Sequence, residues 1–420
     1  MMKNYNSFDL IEKISFERIG GSKEELKAAK IIQEELKKKD LDSKLEAFEV
    51  DYYQIETAKL EVLEPFKETI SVTGYGMSGN TPKEGITADL VYIENGVAAN
   101  LVDLKDKIVL VNGRMPYALY KKLVENEVKG FISVSGSVYD DYTNTDLDQW
   151  SLRLPHYKHG KIPGVTMRIK TAQELLRKQA SKVRLTLTQK ESKRNSHNVV
   201  TKIKGTTYPN KVIGVTAHYD SVVFSSGAFD NATGSATILE LINYFKEHPP
   251  KRTLKFIWCG SEEMGLLGAK AYVEAHKEEL EAFEFVVNVD MTGVVLGYDI
   301  AVCTTEKSFI DYLDYYAKEV GFPIRVRQGV YSSDSTPFAD AGVPAMSFAR
   351  LAPRGGAEIH SRKDLIDFLD EKAYYKTCKF IIDFTEKIAN SVVMPIPRTI
   401  PDNMKEELDY YNVRKERPQK

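Results

Sequence analysis

From Asn198 onward the chain alternates between short apolar runs and longer segments with helical spacing, and this pattern constrains the fold more than any other feature. The apolar runs are KVIGVTA, TLKFIWC, FEFVVNVD, YDIAVC and PAMSFA. Between or after them come TGSATILELINYFKEH, MGLLGAKAYVEAHKEEL, KSFIDYLDYYAKEV and DEKAYYKTCKFIIDFTEKIAN. Strands joined through helices of a dozen or more residues make crossover connections, which run neighbouring strands parallel and cover the sheet with helices. The expected fold class is therefore α/β, with a mixed, mostly parallel central sheet.

The first half of the chain has a different texture. SKEELKAAKIIQEELKKK, residues 22–39, has apolar residues at helical spacing, with Ser22 as N-cap and Glu25 completing a capping box. LEAFEVDYYQIETAKLEVL alternates like one or two strands. Residues 70–162 begin with the Gly-rich ISVTGYGMSGNTPKEG and continue through short strands at LVYI, KIVLVNG and KGFISVSG. No G-K-[ST] closes the glycine cluster, so it reads as a plain loop and not a phosphate site. In LPHYKH, Pro155 and Gly160 flank His156 and His159, which argues for a loop bearing surface histidines. The last stretch, 394–420, opens with Pro395, Pro397 and Pro401 and reads as a poorly ordered extension or a surface strap.

Bulk properties exclude several classes. Among 420 residues, 58 Lys and Arg balance 60 Asp and Glu, so a nucleic acid or an anionic membrane is not the expected partner. Cys259, Cys303 and Cys378 are odd in number and widely spaced, which speaks against a disulfide framework and for buried small residues. MMKNYNSFDLIEKISFERIG has no continuous apolar core, and the chain reads as cytoplasmic. Oligomeric state is left open, with a homodimer among the options.

The chemistry lies in five segments: AHYDS, GAFDNATG, GSEEMG, NVDMTG and EIHSRKD. His218 and Asp220 follow the KVIGVTA run, Glu262 and Glu263 follow TLKFIWC, and Asp290 ends FEFVVNVD. In open α/β sheets, ligands bind beyond the carboxyl ends of the strands, so three strand ends would deliver ionisable groups to one rim. Two nearby dications repel and need a carboxylate between them. Asp230, in a Gly-containing loop before a helix, is placed to bridge. His218 and Asp290 would complete one metal's ligands, and Glu263 and His360 the other's. Two dications bring four positive charges against three negative ones from Asp230, Glu263 and Asp290, which favours ionisation of a bridging water. Neighbouring side chains diverge, so Glu262 is left facing that water as general base. Asp220 would accept the His218 N–H and fix its tautomer.

In order and spacing, these segments resemble the co-catalytic zinc aminopeptidases of metallopeptidase family 28. The gaps are 12 residues from His218 to Asp230, 32 from Asp230 to Glu262 and 27 from Glu263 to Asp290. The resemblance implies a zinc exopeptidase-like fold, two divalent ions (Zn²⁺) and peptide substrates. It implies metal ligation by His218, Asp230, Glu263, Asp290 and His360, with Glu262 as base. VDLKDKIVLVNG, KGFISVSG and KIPGVTMR are similar to a protease-associated domain, implying a smaller β-rich insert at 56–189. The catalytic domain would then comprise 1–55 and 190–393. Several family members carry Tyr immediately before the last histidine, where this chain has Ile359. Tyr331 is similar in position to a Tyr that other relatives use to stabilise an oxyanion.

The expected activity is release of N-terminal residues from peptides. A carboxypeptidase or dipeptidase on the same scaffold is the alternative, since Arg327, Arg350 and Arg354 lie close in sequence to the site and could hold a C-terminal carboxylate. A one-zinc glutaminyl cyclase-like transferase and an inactive receptor-like relative are further readings.

Overall fold

The computed structural model describes residues 6–417. It divides into two compact units, one formed by residues up to Val50 together with those from Arg194, the other by Asp51–Lys193.

The first unit is built on a sheet whose strands, in chain order, are β1 (Lys182–Ile203, which belongs to this unit from Arg194 onward), β2 (Tyr208–His218), β3 (Arg252–Cys259), β4 (Phe283–Val289), β5 (Tyr298–Cys303), β6 (Ile324–Gln328) and β7 (Ala345–Leu351). They lie in the order β6-β5-β7-β4-β2-β3-β1. The neighbours β3, β2, β4 and β7 are mutually parallel, as are β5 and β6; β1 against β3 and β5 against β7 are antiparallel. This is the mixed, mostly parallel sheet expected from the alternating pattern.

Eight helices accompany the sheet among the described residues: α1 (Phe8–Ile14), α2 (Lys23–Lys37), α3 (Thr233–Glu247), α4 (Leu267–Ala275), α5 (Lys307–Glu319), α6 (Ser335–Asp340), α7 (Glu371–Ala389) and α8 (Asp402–Tyr411). Because strand side chains alternate in direction, each buried strand feeds two cores. Ile213, Val215 and Ala217 of β2 and Leu254, Phe256 and Trp258 of β3 pack with α1, α2, α3, α5 and α7. Ile257 and Cys259 of β3 and Val286 of β4 pack with residues of α4, α6 and α8. Helices therefore cover both faces of the sheet, which explains why the central strands read as nearly continuous apolar runs.

The second unit contains a further run of paired strands. Ile86–Tyr92, Ile108–Val111, Gly130–Ser135 and Gly164–Arg168 run parallel in sequence order, and Val72–Gly74 adds antiparallel to the last of them. Helices Tyr117–Glu125 and Ile169–Arg177 accompany it, with apolar clusters around Leu185 and Phe131. No described helix is long and apolar enough to cross a membrane.

Local expectations were met unevenly. Ser22 caps α2 as expected, accepting the Glu25 N–H, but the Glu25 carboxylate turns to the Gly21 N–H. All three cysteines are free and buried. The edge strand β6 and the short helices α1 and α6 have no counterpart in the sequence reading. The tail carries helix α8, whose Met404 and Leu408 join the apolar core on the α4 side; spaced four apart, they form one helical face. His156 is not in a loop: Leu154–Tyr157 form one helical turn, and Pro155 sits in its first turn, where its missing N–H costs nothing.

That placement has a pH consequence. Burial pushes the His156 imidazole down from 6.5 to about 4. Between these values the unfolded chain binds the proton more readily, so stability present above pH 6.5 is lost as pH falls toward 4. Thermal unfolding from pH 7 to pH 4 should show this loss in the wild type and a shallower decline in His156→Gln.

Candidate metal centre

Three adjacent parallel strands end level with one another. Cys259 of β3 pairs with His218 of β2, and Asn288 of β4 with Thr216 of β2, so the next residues of each strand emerge on one rim. His218 closes β2, Glu262 and Glu263 follow β3 by a turn, and Asp290 follows β4 directly. Asp230 comes from the turn between β2 and α3, and His360 from the segment after β7, where its backbone adopts φ 57°.

The side chains converge. His218 Nε2 lies 3.1 Å from Asp230 Oδ1 and 3.6 Å from Asp290 Oδ1. His360 Nε2 lies 3.2 Å from Asp230 Oδ2 and 2.9 Å from Glu263 Oε1. One potential ligand atom from each of His218, Asp230 and Asp290 falls within 4.8 Å of the others, as do those of Asp230, Glu263 and His360, and of His218, Glu262 and Glu263. Asp230 is shared by the first two groups and presents a different oxygen to each imidazole. His360 stands at the rim with its side chain 46% exposed, whereas His218, Asp230 and Asp290 are buried.

The donor set fits divalent cations. Imidazole nitrogens face carboxylate oxygens, and such lone pairs need a proton or a metal ion between them. Although burial opposes its charge, the carboxylates Glu263 and Asp230 carry the His360 imidazole up to about 11, and His218 is likewise raised. Asp230, buried as it is, is held well below the usual carboxylate range by His218 and His360. Asp290 Oδ1 and His218 Nδ1 are buried without a hydrogen-bond partner. Glu262 is raised well above the usual range by burial first, with Glu263, Asp334 and Asp290 adding to it.

Asp220 sits behind this rim. Its Oδ1 lies 3.3 Å from His218 Nδ1, but its carboxylate accepts the backbone N–H groups of Glu262 and Glu263 at 3.0 and 3.1 Å. The sequence reading placed Asp220 beside the imidazole and did not foresee its hold on the turn after β3. Tyr331 packs against the apolar cluster of Phe229, Met291 and Val294, and burial, then Asp290 and Asp230, push its phenol up. Ile359 is partly exposed beside His360.

Other residues that shape the site went unnoticed in the sequence. Asn231 ties the two flanks of the first group together: its Nδ2 donates to Val289 O at 2.9 Å, and its Oδ1 accepts from Met291 N–H at 3.0 Å and Gly234 N–H at 2.8 Å. Gly234 is required for this approach, since a Cβ there would lie 2.4 Å from Asn231 Oδ1 and from Val289 O. Asp364 accepts the N–H groups of Phe229 at 2.7 Å and Asp230 at 3.2 Å. The buried Arg18 donates to the carbonyls of Tyr219, Ser226 and Gly227, fixing the same turn from the other side. Asp334 is buried with neither carboxylate oxygen hydrogen-bonded, and burial raises it to about 7. Asn231 and Asp364 stand one and four residues from expected ligands, so adjacency was their only sequence signal. Of the three arginines weighed for a C-terminal carboxylate, Arg350 is engaged with Asp299 at 2.8 Å and the Val294 carbonyl at 2.9 Å. Arg327 and Arg354 are exposed.

The model of Peptidase family M28 matches residues 198–385, the stretch that supplies every strand-end residue named above. Across the chain, similarity extends to aminopeptidase YwaD from Bacillus subtilis, 29% identical over 360 residues covering 82% of this chain and 74% of the relative. Carboxypeptidase Q from Pongo abelii is 25% identical over 390 residues, covering 88% and 82%. Among solved structures, a zinc aminopeptidase from Bacillus subtilis superposes with TM-score 0.76 at 25% identity, covering 94% of this chain and 98% of that one.

If Asn231 holds Asp230 and Asp290 in register, Asn231→Ala should weaken divalent-ion affinity by roughly 10- to 100-fold while the chain stays folded. Isothermal titration of the apo protein with Zn²⁺ measures this, and unchanged affinity would refute the role.

Proposed function

We propose that the chain is a metal-dependent aminopeptidase with a dinuclear site. The carrying observation is that Asp230 aims one oxygen at each imidazole while Glu262, next to Glu263, stays buried on the same rim. His218, Asp230 and Asp290 would hold one ion, and Asp230, Glu263 and His360 the other. Bound divalent ions supply Lewis acidity to the scissile carbonyl and to water. The N/O donor set selects weakly among metals, and zinc is our assignment by analogy with the Bacillus subtilis relative.

The chain's own residues do the rest. Glu262 takes the proton from the attacking water and returns it to the departing amine, a task suited to a carboxylate whose proton affinity burial has raised. Asp220 holds the backbone on which Glu262 and Glu263 diverge. Tyr331, lying close enough for Asp290 and Asp230 to bear on its phenol, is the proposed donor to the developing oxyanion.

The charge balance favours the amino end of a peptide over the carboxyl end. The six carboxylates of Asp220, Asp230, Glu262, Glu263, Asp290 and Asp334 outnumber the four positive charges that two divalent ions would bring, an environment that welcomes an α-ammonium group and repels a carboxylate. The engagement of Arg350 by Asp299 removes one cation that a carboxypeptidase could use. The apolar cluster of Phe229, Met291 and Val294 adjoins Asp230 and Asp290, which supports an apolar side chain at the released residue. The carboxypeptidase reading has one observation in its favour, the similarity to carboxypeptidase Q over 88% of the chain. We also propose that Asp51–Lys193 is a protease-associated domain, on the sequence segments that suggested it.

Blocked substrates separate the readings. Cleavage of leucyl anilide in preference to aspartyl anilide is expected, and cleavage of N-acylated dipeptides in place of either would favour the carboxypeptidase. Glu262→Gln should retain both ions by metal quantification and lose about 10²- to 10⁴-fold in kcat. A near-normal rate would remove Glu262 as the base.

A further inference from the structure

Three successive backbone amides in the turn that bears Glu262 and Glu263 are each taken by a buried carboxylate. Asp220 accepts the N–H groups of Glu262 and Glu263. The Ser261 N–H goes instead to Glu25 Oε1 at 2.8 Å, and the Ser261 hydroxyl to the same oxygen at 3.1 Å. Glu25 belongs to the first turn of α2 and is 1% exposed. It also accepts from Ser196 Oγ at 2.8 Å and, through Oε2, from Gly21 N–H at 2.7 Å. These four donors are all neutral.

The turn needs such a hold. Ser261 has φ 53°, a left-handed conformation that a residue with a Cβ rarely adopts. From it the two following side chains part, Glu263 toward His360 and Glu262 into the interior of the rim. The packing leaves no slack: a Cβ on Gly260 would sit 2.5 Å from His197 O and 2.8 Å from Glu25 Oε1.

We infer that Glu25 is a positioning residue for hydrolysis, acting through Ser261 to fix the aim of Glu262 at the rim. It touches neither substrate nor metal ligands, and the inference rests on Glu262 being the base, as proposed above. No feature of the sequence pointed to it beyond the capping-box pattern, which assigned its carboxylate to its own helix.

The test uses the metal-loaded full chain and compares Glu25→Ala and Glu25→Gln with Ser22→Ala. The last removes the cap that accepts the Glu25 N–H and so weakens the same helix start, yet spares the Glu25 carboxylate. Glu25→Ala should lower kcat on an aminoacyl anilide by about 10- to 100-fold with both metals retained. KM should stay within about threefold of wild type, since substrate binding is not touched. Glu25→Gln should lose less, because its amide oxygen can still accept from Ser261, and Ser22→Ala should keep the wild-type kcat. If Ser22→Ala loses as much as Glu25→Gln, the effect belongs to the helix and the inference is overturned; wild-type kcat in Glu25→Ala overturns it equally. Should the alanine variant fail to fold, the glutamine variant against Ser22→Ala decides. A wild-type chain that turns over neither anilides nor blocked dipeptides overturns the peptidase reading, and the role of Glu25 falls with it.

Discussion

Mutual repulsion among buried carboxylates is the constraint around which the first unit is organised. Asp230, Glu262 and Asp290 at the rim, Asp220 behind it, and Asp334, whose charge bears on Asp220 and Asp290, are all less than a tenth exposed. Gathering charges of one sign away from water is among the costliest things a fold can do. Level strand ends make it feasible, because β2, β3 and β4 are fixed to one another by their hydrogen-bond ladders before any side chain is considered. Backbone amides then take over part of the charge. Those of Glu262 and Glu263 serve Asp220, and those of Phe229 and Asp230 serve Asp364. The charge that the amides leave uncompensated is what cations held by the two proposed groups of ligands would balance.

The parts of this arrangement legible in the sequence were those governed by periodicity and by side-chain chemistry. The runs KVIGVTA, TLKFIWC and FEFVVNVD stand out because strands covered on both faces must be apolar throughout, and this located three of the rim positions. Asp230, in a Gly-containing loop before a helix, and His360, nine residues beyond β7, stand out only in company with the other ionisable segments. Residues whose work is done through hydrogen bonds to distant backbone were not legible. Arg18 holds Gly227 across 209 positions, and Asp364 reaches Phe229 across 135. No local pattern encodes such partners, and an Arg or Asp in a polar stretch reads as ordinary surface.

The same distinction explains the local corrections. Pro155 suggested a loop, but a proline at the start of a helical turn is compatible with it, and His156 sits half-buried on that turn. The tail looked like a strap because Pro395, Pro397 and Pro401 dominate its opening, yet Pro401 stands just outside α8, where it can serve as a start signal. Glu25 satisfied a capping-box pattern whose nitrogen half formed and whose carboxylate half went elsewhere. In each case the residue type was read correctly and its partner was not.

The span of chain that meets at the rim has a consequence for how the protein comes into being. Arg18 and Glu25 are synthesised before Asp51–Lys193 and lie far from the turns they hold, while His360 arrives among the last quarter of the residues. Closing such long loops carries an entropic cost that is recovered only when the distant contacts form together. Because its parts come from both ends of the chain, the rim's integrity registers whether the whole first unit has reached its native arrangement. A nascent chain that has not yet reached His360 and Asp364 would leave the turn around Asp230 without one of its imidazoles and without the carboxylate that takes its amides.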